Sequence, residues 1–231
     1  MNDLEFIKYL KELNINITSE QLKDLDKFYK HLLNYNSKTN LTSITKKEEV
    51  YLKNFYDSLT LVKSINLDNA LSLCDVGTGA GFPGLILKII FPNIKLTLIE
   101  SIGKKTTFLK EIVNLLNLKD VEIINDRVEN FARNSVNRYD VVTCRAVSSL
   151  NIISELCIPI TKVNGYFIPM KGEIIEDTSF LSKLNSKVEK IYKFNLPIEN
   201  SKRTLIKIKK LQETNELYPR NYKTMKEKPL K

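Results

Sequence analysis

Apolar positions recur at helical spacing through residues 1–65 and then give way to short, continuous apolar runs. Leu4, Ile7, Leu10 and Leu13 share one face of a 3.6-residue period, which predicts a first helix. Thr18 followed by Gln21 has the spacing of a capping box and opens a second helix carrying Leu22, Leu25, Tyr29, Leu32 and Leu33. Thr45 and Glu48 repeat that spacing ahead of Val50, Tyr51, Phe55 and Leu59, which predicts a third helix with the same cap. The polar stretch NYNSKTNLTSIT, residues 34–45, reads as a connection in which Asn40 either faces a site or caps a helix.

From Ala70 the rhythm is strand, turn, helix. ALSLCDV (70–76), IKLTLIE (94–100), VEIIN (121–125), YDVVTC (139–144) and GYFIPMK (165–171) read as strands. PGLILKIIF, stopped by Pro92, KKTTFLKEIVNLLNL (104–118), a short segment around 128–133 and a helix around 152–160 fall between them. This alternation predicts a parallel sheet covered on both faces, with right-handed crossovers. VEKIYKFNLP (188–197) and RTLIKIKKL (203–211) lie too close in sequence for a crossover helix and predict an antiparallel hairpin at the sheet edge. The final twenty residues are polar and basic and offer little to bury, so they read either as a solvated tail or as a polyanion contact.

Four of the seven glycines sit in DVGTGAGFPG, residues 75–84, directly after the first strand of this unit. A phosphate loop would need Gly-Lys-Ser/Thr at the start of the following helix, where this chain has Phe82-Pro83-Gly84. Gly79 to Gly84 satisfies the dinucleotide fingerprint, but Pro83 has no N–H to offer a pyrophosphate. Gly77-x-Gly79-x-Gly81 after an acidic strand end is a pattern more typical of methyltransferases. Glu100, 23 positions beyond Gly77 at the end of the second strand, can accept hydrogen bonds from both hydroxyls of a nucleoside ribose. The reversed last strand separates the two: methyltransferases of Rossmann-like fold carry it, and dinucleotide domains continue in parallel.

Composition narrows the chemistry. Net charge is +9, which fits a polyanionic partner such as nucleic acid or, equally, a lysine-rich genome. Cys74, Cys144 and Cys157 are widely spaced and His31 is the single histidine, so neither a zinc site nor a histidine-based catalytic device is expected. No apolar run approaches the roughly 20 residues of a membrane span and no signal-peptide core opens the chain, which predicts a cytoplasmic protein without a membrane partner.

Several motifs in order resemble the bacterial small-subunit ribosomal RNA guanine-N7 methyltransferases, once called glucose-inhibited division protein B. They are NLTSIT (40–45), FYDSL (55–59), DVGTGAGFPG, ESIGKKTTFLKEI (100–112), RVENF (127–131), CRAVSSL (144–150), MKG (170–172) and YPRNYKTMKEKPL (218–230). The resemblance implies a Rossmann-like, class I S-adenosylmethionine-dependent fold of the α/β class. Its mostly parallel seven-stranded sheet would end in an antiparallel hairpin and follow an N-terminal helical extension. It implies methyl transfer to N7 of one guanine in 16S rRNA, free or in the 30S subunit, by a monomer. Cofactor contacts mapped onto matching positions are Gly77, Phe82, Val128, Glu129 and Arg145; Glu100 joins them on the ribose argument. The chain departs from the family at Asn54, where histidine is frequent, and at Lys223-Thr224-Met225, where Gly-Thr-Pro is frequent.

Guanine N7 carries an available lone pair, so no catalytic base, covalent nucleophile or metal is expected. Cys144-Arg145-Ala146-Val147 after the fourth strand is also unlike the Asn/Asp-Pro-Pro-Tyr loop of exocyclic-amine methyltransferases. Arg145 is expected to position the cofactor or an RNA phosphate. Lys171, and Arg220, Lys223, Lys226 and Lys228 of the tail, are expected to meet RNA. The domain plan is a helical extension (1–65), the methyltransferase unit (66–211) and a basic tail (212–231). Rival readings are a non-catalytic rRNA-binding or assembly protein with a vestigial pocket and an NAD-dependent oxidoreductase.

Overall fold

The computed structural model describes residues 1–173 and 177–231. Seven strands form one sheet: β1 (Ser72–Val76), β2 (Lys95–Ile99), β3 (Val121–Ile124), β4 (Tyr139–Arg145), β5 (Thr161–Lys171), β6 (Ser186–Asn195) and β7 (Lys202–Lys210). Their order is β3-β2-β1-β4-β5-β7-β6. All pairings from β3 to β5 are parallel, and β7 alone runs backwards, inserted between β5 and β6. The expected hairpin is present, with β6 as the sheet edge and β7 one place in.

Why the strand sequences read as unbroken apolar runs is visible in the two cores. Leu73, Leu98, Val141, Ile168 and Leu205 enter the first, and their neighbours Cys74, Ile99, Val142, Phe167 and Ile206 enter the second. Side chains alternate across a strand, so a sheet covered on both faces needs apolar residues at every position. All three cysteines are free and buried, packing as small hydrophobes in the second core.

One face is covered by α5 (Gly84–Ile90), α6 (Gly103–Leu115) and the N-terminal helices; the other by α7 (Val128–Arg133), α8 (Leu150–Ile160) and the C-terminal tail. Among the N-terminal elements are α1 (Asp3–Glu12) and α2 (Ser19–Thr39). A run of short turns follows: α3 (Lys47–Glu49), a π-helical Val50–Tyr56, α4 (Asp57–Leu59) and a 3-10 turn Thr60–Lys63.

The capping box at Thr18 and Gln21 forms as expected, and Gln21 does more. Its Oε1 accepts from Thr18 N at 2.9 Å while its Nε2 donates to the carbonyls of Ile89 and Ile90 at 3.1 and 3.0 Å. One side chain thus closes the start of α2 and the end of α5, whose last carbonyls have no partner within the helix. Aromatic packing completes the join: Phe28 contacts Phe55, Phe82 and Phe108, with ring centroids 5.7, 5.5 and 6.0 Å away. Each such pair adds about 0.5–1.5 kcal/mol beyond burial. His31 belongs to this interface, stacked on Phe108 and bonded to Glu111 at 2.8 Å.

Two expectations from the sequence fail. Thr45 does not cap the third helix, whose N-cap is Lys46 with no side-chain bond; the Thr45 carbonyl instead accepts from the Tyr29 hydroxyl at 3.2 Å. The tail does bury side chains: Met225, on α9 (Tyr222–Glu227), and Leu230 enter the second core. Asn40 resolves as a helix cap, ending α2 in the left-handed conformation at φ 50°.

Candidate active site

The strand order reverses between β1 and β4, and ligands of open α/β sheets bind outside the carboxyl ends of strands at such a point. The glycine loop lies here. Gly77, Gly79 and Gly81 have φ of 67°, 61° and 91°, which side-chain-bearing residues adopt only with strain. The turn hooks onto β2, with Gly77 N and Thr78 N donating to the Ile99 carbonyl at 2.9 and 3.2 Å. A Cβ on Gly77 would lie 2.9 Å from Val147 Cγ2, whereas one on Gly79 would enter open space. The loop therefore has one side tight against the protein and one side bare.

Asp75 builds the loop from below. It is fully buried, and its Oδ2 accepts from Thr78 Oγ1 at 2.6 Å and from Gly84 N at 2.8 Å. Burial pushes its carboxyl up to about 6, opposed by these two bonds and by the charge of Arg145. Oδ1 is buried with no partner among the described residues. Gly84 is required because a Cβ there would meet Leu98 Cδ2 at 2.5 Å and Asp75 Oδ2 at 2.9 Å.

Glu100 stands beside the open side of the loop. Its Oε2 accepts from Gly79 N at 3.0 Å and its Oε1 from Ile102 N at 2.9 Å. The end of β3 is fastened to the same point by Asn125 Nδ2, which donates to the Glu100 carbonyl at 3.1 Å. Val128 and Glu129 follow as the half-buried first residues of α7. Gly77, Glu100, Val128 and Glu129 thus line the carboxyl ends of three adjacent strands.

Phe82 and Arg145 are placed differently. Phe82 is buried among Phe28 and Phe55, and the Arg145 guanidinium lies over its ring at 5.4 Å from the centroid. From its place over Phe82 the Arg145 guanidinium reaches into the N-terminal helices. Its Nη1 donates to the Lys53 carbonyl at 2.7 Å, its Nη2 to Asn54 Oδ1 at 3.0 Å, and Asp57 Oδ2 lies 3.5 Å away. Arg203, from β7, reaches the same carboxylate: its Nε is 3.0 and 3.1 Å from the two Asp57 oxygens.

Lys53, Asn54, Asp57, Arg145 and Arg203 line a cavity of about 480 Å³ with Lys171, Met170, Leu205, Ile44, Ala146 and Ser148. Four cations (Lys53, Arg145, Lys171 and Arg203) and one carboxylate (Asp57) surround it. Lys171 lies on this wall and donates to the Ser148 carbonyl. Arg220 is paired within the fold. Its Nε and Nη2 each lie 2.8 Å from a Glu155 oxygen, and its backbone N–H donates to the same carboxylate. That carboxylate is buried in α8, so Arg220 fastens the tail to the fold. Lys223 remains exposed on α9, with Glu227 at 3.8 Å.

Sequence reading missed Asp57, Lys53 and Arg203 as site residues, and met Asn54 only as a departure. Their signal lies in the FYDSL segment and its flank, but the partners are up to 146 residues away. Among the described residues no cluster of His, Cys, Asp or Glu could hold a metal, and no helix is long and apolar enough to cross a membrane.

Comparison with known proteins agrees with this geometry. Solved structures of similar fold include a SAM-dependent methyltransferase from Aquifex aeolicus (TM-score 0.52, 18% identity, 74% of this chain and 97% of that one). Another is M. jannaschii TYW2 in complex with AdoMet (TM-score 0.54, 14% identity, 73% and 80%). The Ribosomal RNA small subunit methyltransferase G of Oceanobacillus iheyensis is 41% identical over 227 residues, covering 95% of each chain. That of Bacillus subtilis is 40% identical over 237 residues, covering 100% of this chain and 99% of its own. The family model for rRNA small subunit methyltransferase G matches residues 21–206. With a family model matching residues 21–206 and relatives about 40% identical over nearly the whole of both chains, the chain belongs to the rRNA small subunit methyltransferase G family.

Proposed function

We propose that the protein transfers a methyl group from S-adenosylmethionine to N7 of a guanine in 16S rRNA. The observation that carries this reading is the pairing of Glu100 with the bare side of the glycine loop at Gly79, next to a cationic cavity. The open space over Gly79 admits a nucleoside against the backbone, and no Lys-Ser/Thr pair follows to hold a triphosphate. Glu100 would accept from the ribose hydroxyls, Gly77 and Gly79 would let the backbone approach, and Val128 with Glu129 would border the base. When bound, the cofactor supplies an electrophilic methyl group on a sulfonium.

The chain's own part is positional. The N7 lone pair forms the new N–C bond as the C–S bond breaks, and the positive charge passes from sulfur to the purine. No proton leaves N7, so no base is needed; alignment alone is worth up to about 7–11 kcal/mol. Arg145, held by Lys53, Asn54 and Asp57, fixes the wall between cofactor loop and cavity. Lys171 on that wall and Lys223, Lys226 and Lys228 on the tail are the proposed cations for RNA phosphates. The same reading divides the chain into an RNA-side extension (1–65), the methyl-transfer unit (66–211) and a docked tail (212–231), acting in the cytoplasm as a monomer.

Incubating the protein with methyl-labelled S-adenosylmethionine and undermethylated 30S particles, then mapping the product, tests this. Label at N7 of one guanine is expected. Absence of label from rRNA leaves the binding role, and calorimetric binding of NADH in place of S-adenosylmethionine leaves the oxidoreductase.

A further inference from the structure

The Asn54 side chain is almost fully buried where the N-terminal helices meet β4, and it lines the 480 Å³ cavity. Its orientation is fixed by chemistry. Arg145 Nη2 can only donate, so the atom 3.0 Å from it must be the amide oxygen. That leaves Nδ2, a double donor, buried and without an acceptor among the described residues. Buried amide donors are nearly always paired, so an unpartnered one beside a cavity calls for an acceptor.

The cavity around it fits a nucleotide. Ile44, Met170 and Leu205 offer apolar flanks, and Lys53, Lys171 and Arg203 offer cations. It also adjoins the methyl donor's place. Ala146 lines the cavity with its backbone turned to φ 55°, and the next residue, Val147, is the one that closes on Gly77. One residue therefore separates the cavity wall from the glycine loop.

We propose that this cavity is the subsite for the acceptor guanosine and that Asn54 reads the base, donating from Nδ2 to guanine O6. The proposal rests on the methyl-transfer reading above and adds the place and the means of base selection. Guanine presents two adjacent acceptors, O6 and N7, on this edge, whereas adenine pairs its N7 with an N6 donor. A donor at Asn54 matches guanine and meets adenine donor to donor. It holds O6 and leaves N7 uncovered for the methyl group.

The test is Asn54→Asp, which keeps the oxygen that Arg145 requires and exchanges the donor for an acceptor. Labelled transfer to undermethylated 30S particles should show kcat reduced at least tenfold. The S-adenosylmethionine dissociation constant should stay within twofold, about 0.4 kcal/mol, and the melting temperature within about 2 °C. A kcat within twofold of the unsubstituted protein overturns the proposal. Saturation-transfer NMR with 5′-GMP and 5′-AMP, in the presence of S-adenosylhomocysteine, reads the subsite without turnover. Contact with GMP over AMP, lost in Asn54→Asp, is expected; equal contact with both overturns it. Failure of the unsubstituted protein to label rRNA refutes the proposed function instead, and the NMR preference still reports on the cavity.

Discussion

Arg220 of the tail grips Glu155 of α8 with two parallel bonds of 2.8 Å, and the carboxylate is only 1% exposed. Two-pronged pairing of this kind is geometrically demanding and strong. A residue expected to meet RNA therefore also fastens the last segment to α8.

Arg220→Ala strands a charge inside the fold, and removing one partner of a buried pair costs about 3–5 kcal/mol. Because Arg220 is itself a quarter exposed, we expect the lower end, about 3 kcal/mol, in urea denaturation. Glu155→Leu with Arg220→Met should recover most of it. A single substitution costing under 1 kcal/mol would mean that the tail is not held by this pair.

Glu100→Ala removes the acceptor that faces the glycine loop and frees Gly79 N and Ile102 N. Affinity for S-adenosylmethionine, measured by calorimetry, should fall at least tenfold, about 1.4 kcal/mol. The melting temperature should fall as well, since Glu100 is buried and its loss leaves two part-buried N–H groups without their acceptor.

Gly77→Ala must hold a side chain at φ 67° and push against Val147. Strain of about 1–3 kcal/mol is expected in thermal unfolding, with loss of cofactor affinity. Val147→Ala in the same chain should relieve the clash and not the dihedral, so recovery should be partial.

Asp75 gives a pH dependence with a defined sign. Its folded carboxyl titrates at about 6 against 3.8 in an open chain, so the folded state binds the extra proton. Its contribution to stability is full below pH 4 and is lost as pH rises from about 4 to 6. Asp75→Asn should abolish that fall, and the difference between the two proteins' stabilities should change by about 3 kcal/mol across the interval. Parallel urea curves at pH 4 and pH 7 measure it; a constant difference would show that Asp75 does not titrate there.

What the sequence made legible follows from range. The strands, their reversed end, the glycine loop and Glu100 are encoded in local period and spacing, and each appears where expected. Arg145 illustrates the limit. Its place at the end of β4 is local, but the direction of its side chain depends on Lys53, Asn54 and Asp57, about ninety residues earlier. The Thr45 spacing likewise suggested a cap, but the helix starts one residue later, with Lys46 at its N-cap. The tail read as polar with little to bury because its buried residues, Pro219, Met225 and Leu230, make no period.

The insertion of β7 between β5 and β6 also governs when the cavity can exist. Arg203 reaches Asp57 across 146 residues, with Arg145 from the middle of the chain beside them. Closing so long a loop is entropically late, and contacts of such separation slow folding. A fragment ending before β7 would carry the glycine loop and Glu100 without the far wall. On the proposed reading, such a fragment would keep the nucleoside groove and lack the wall against which an acceptor base would sit, so the two recognition surfaces would be completed at different stages of folding.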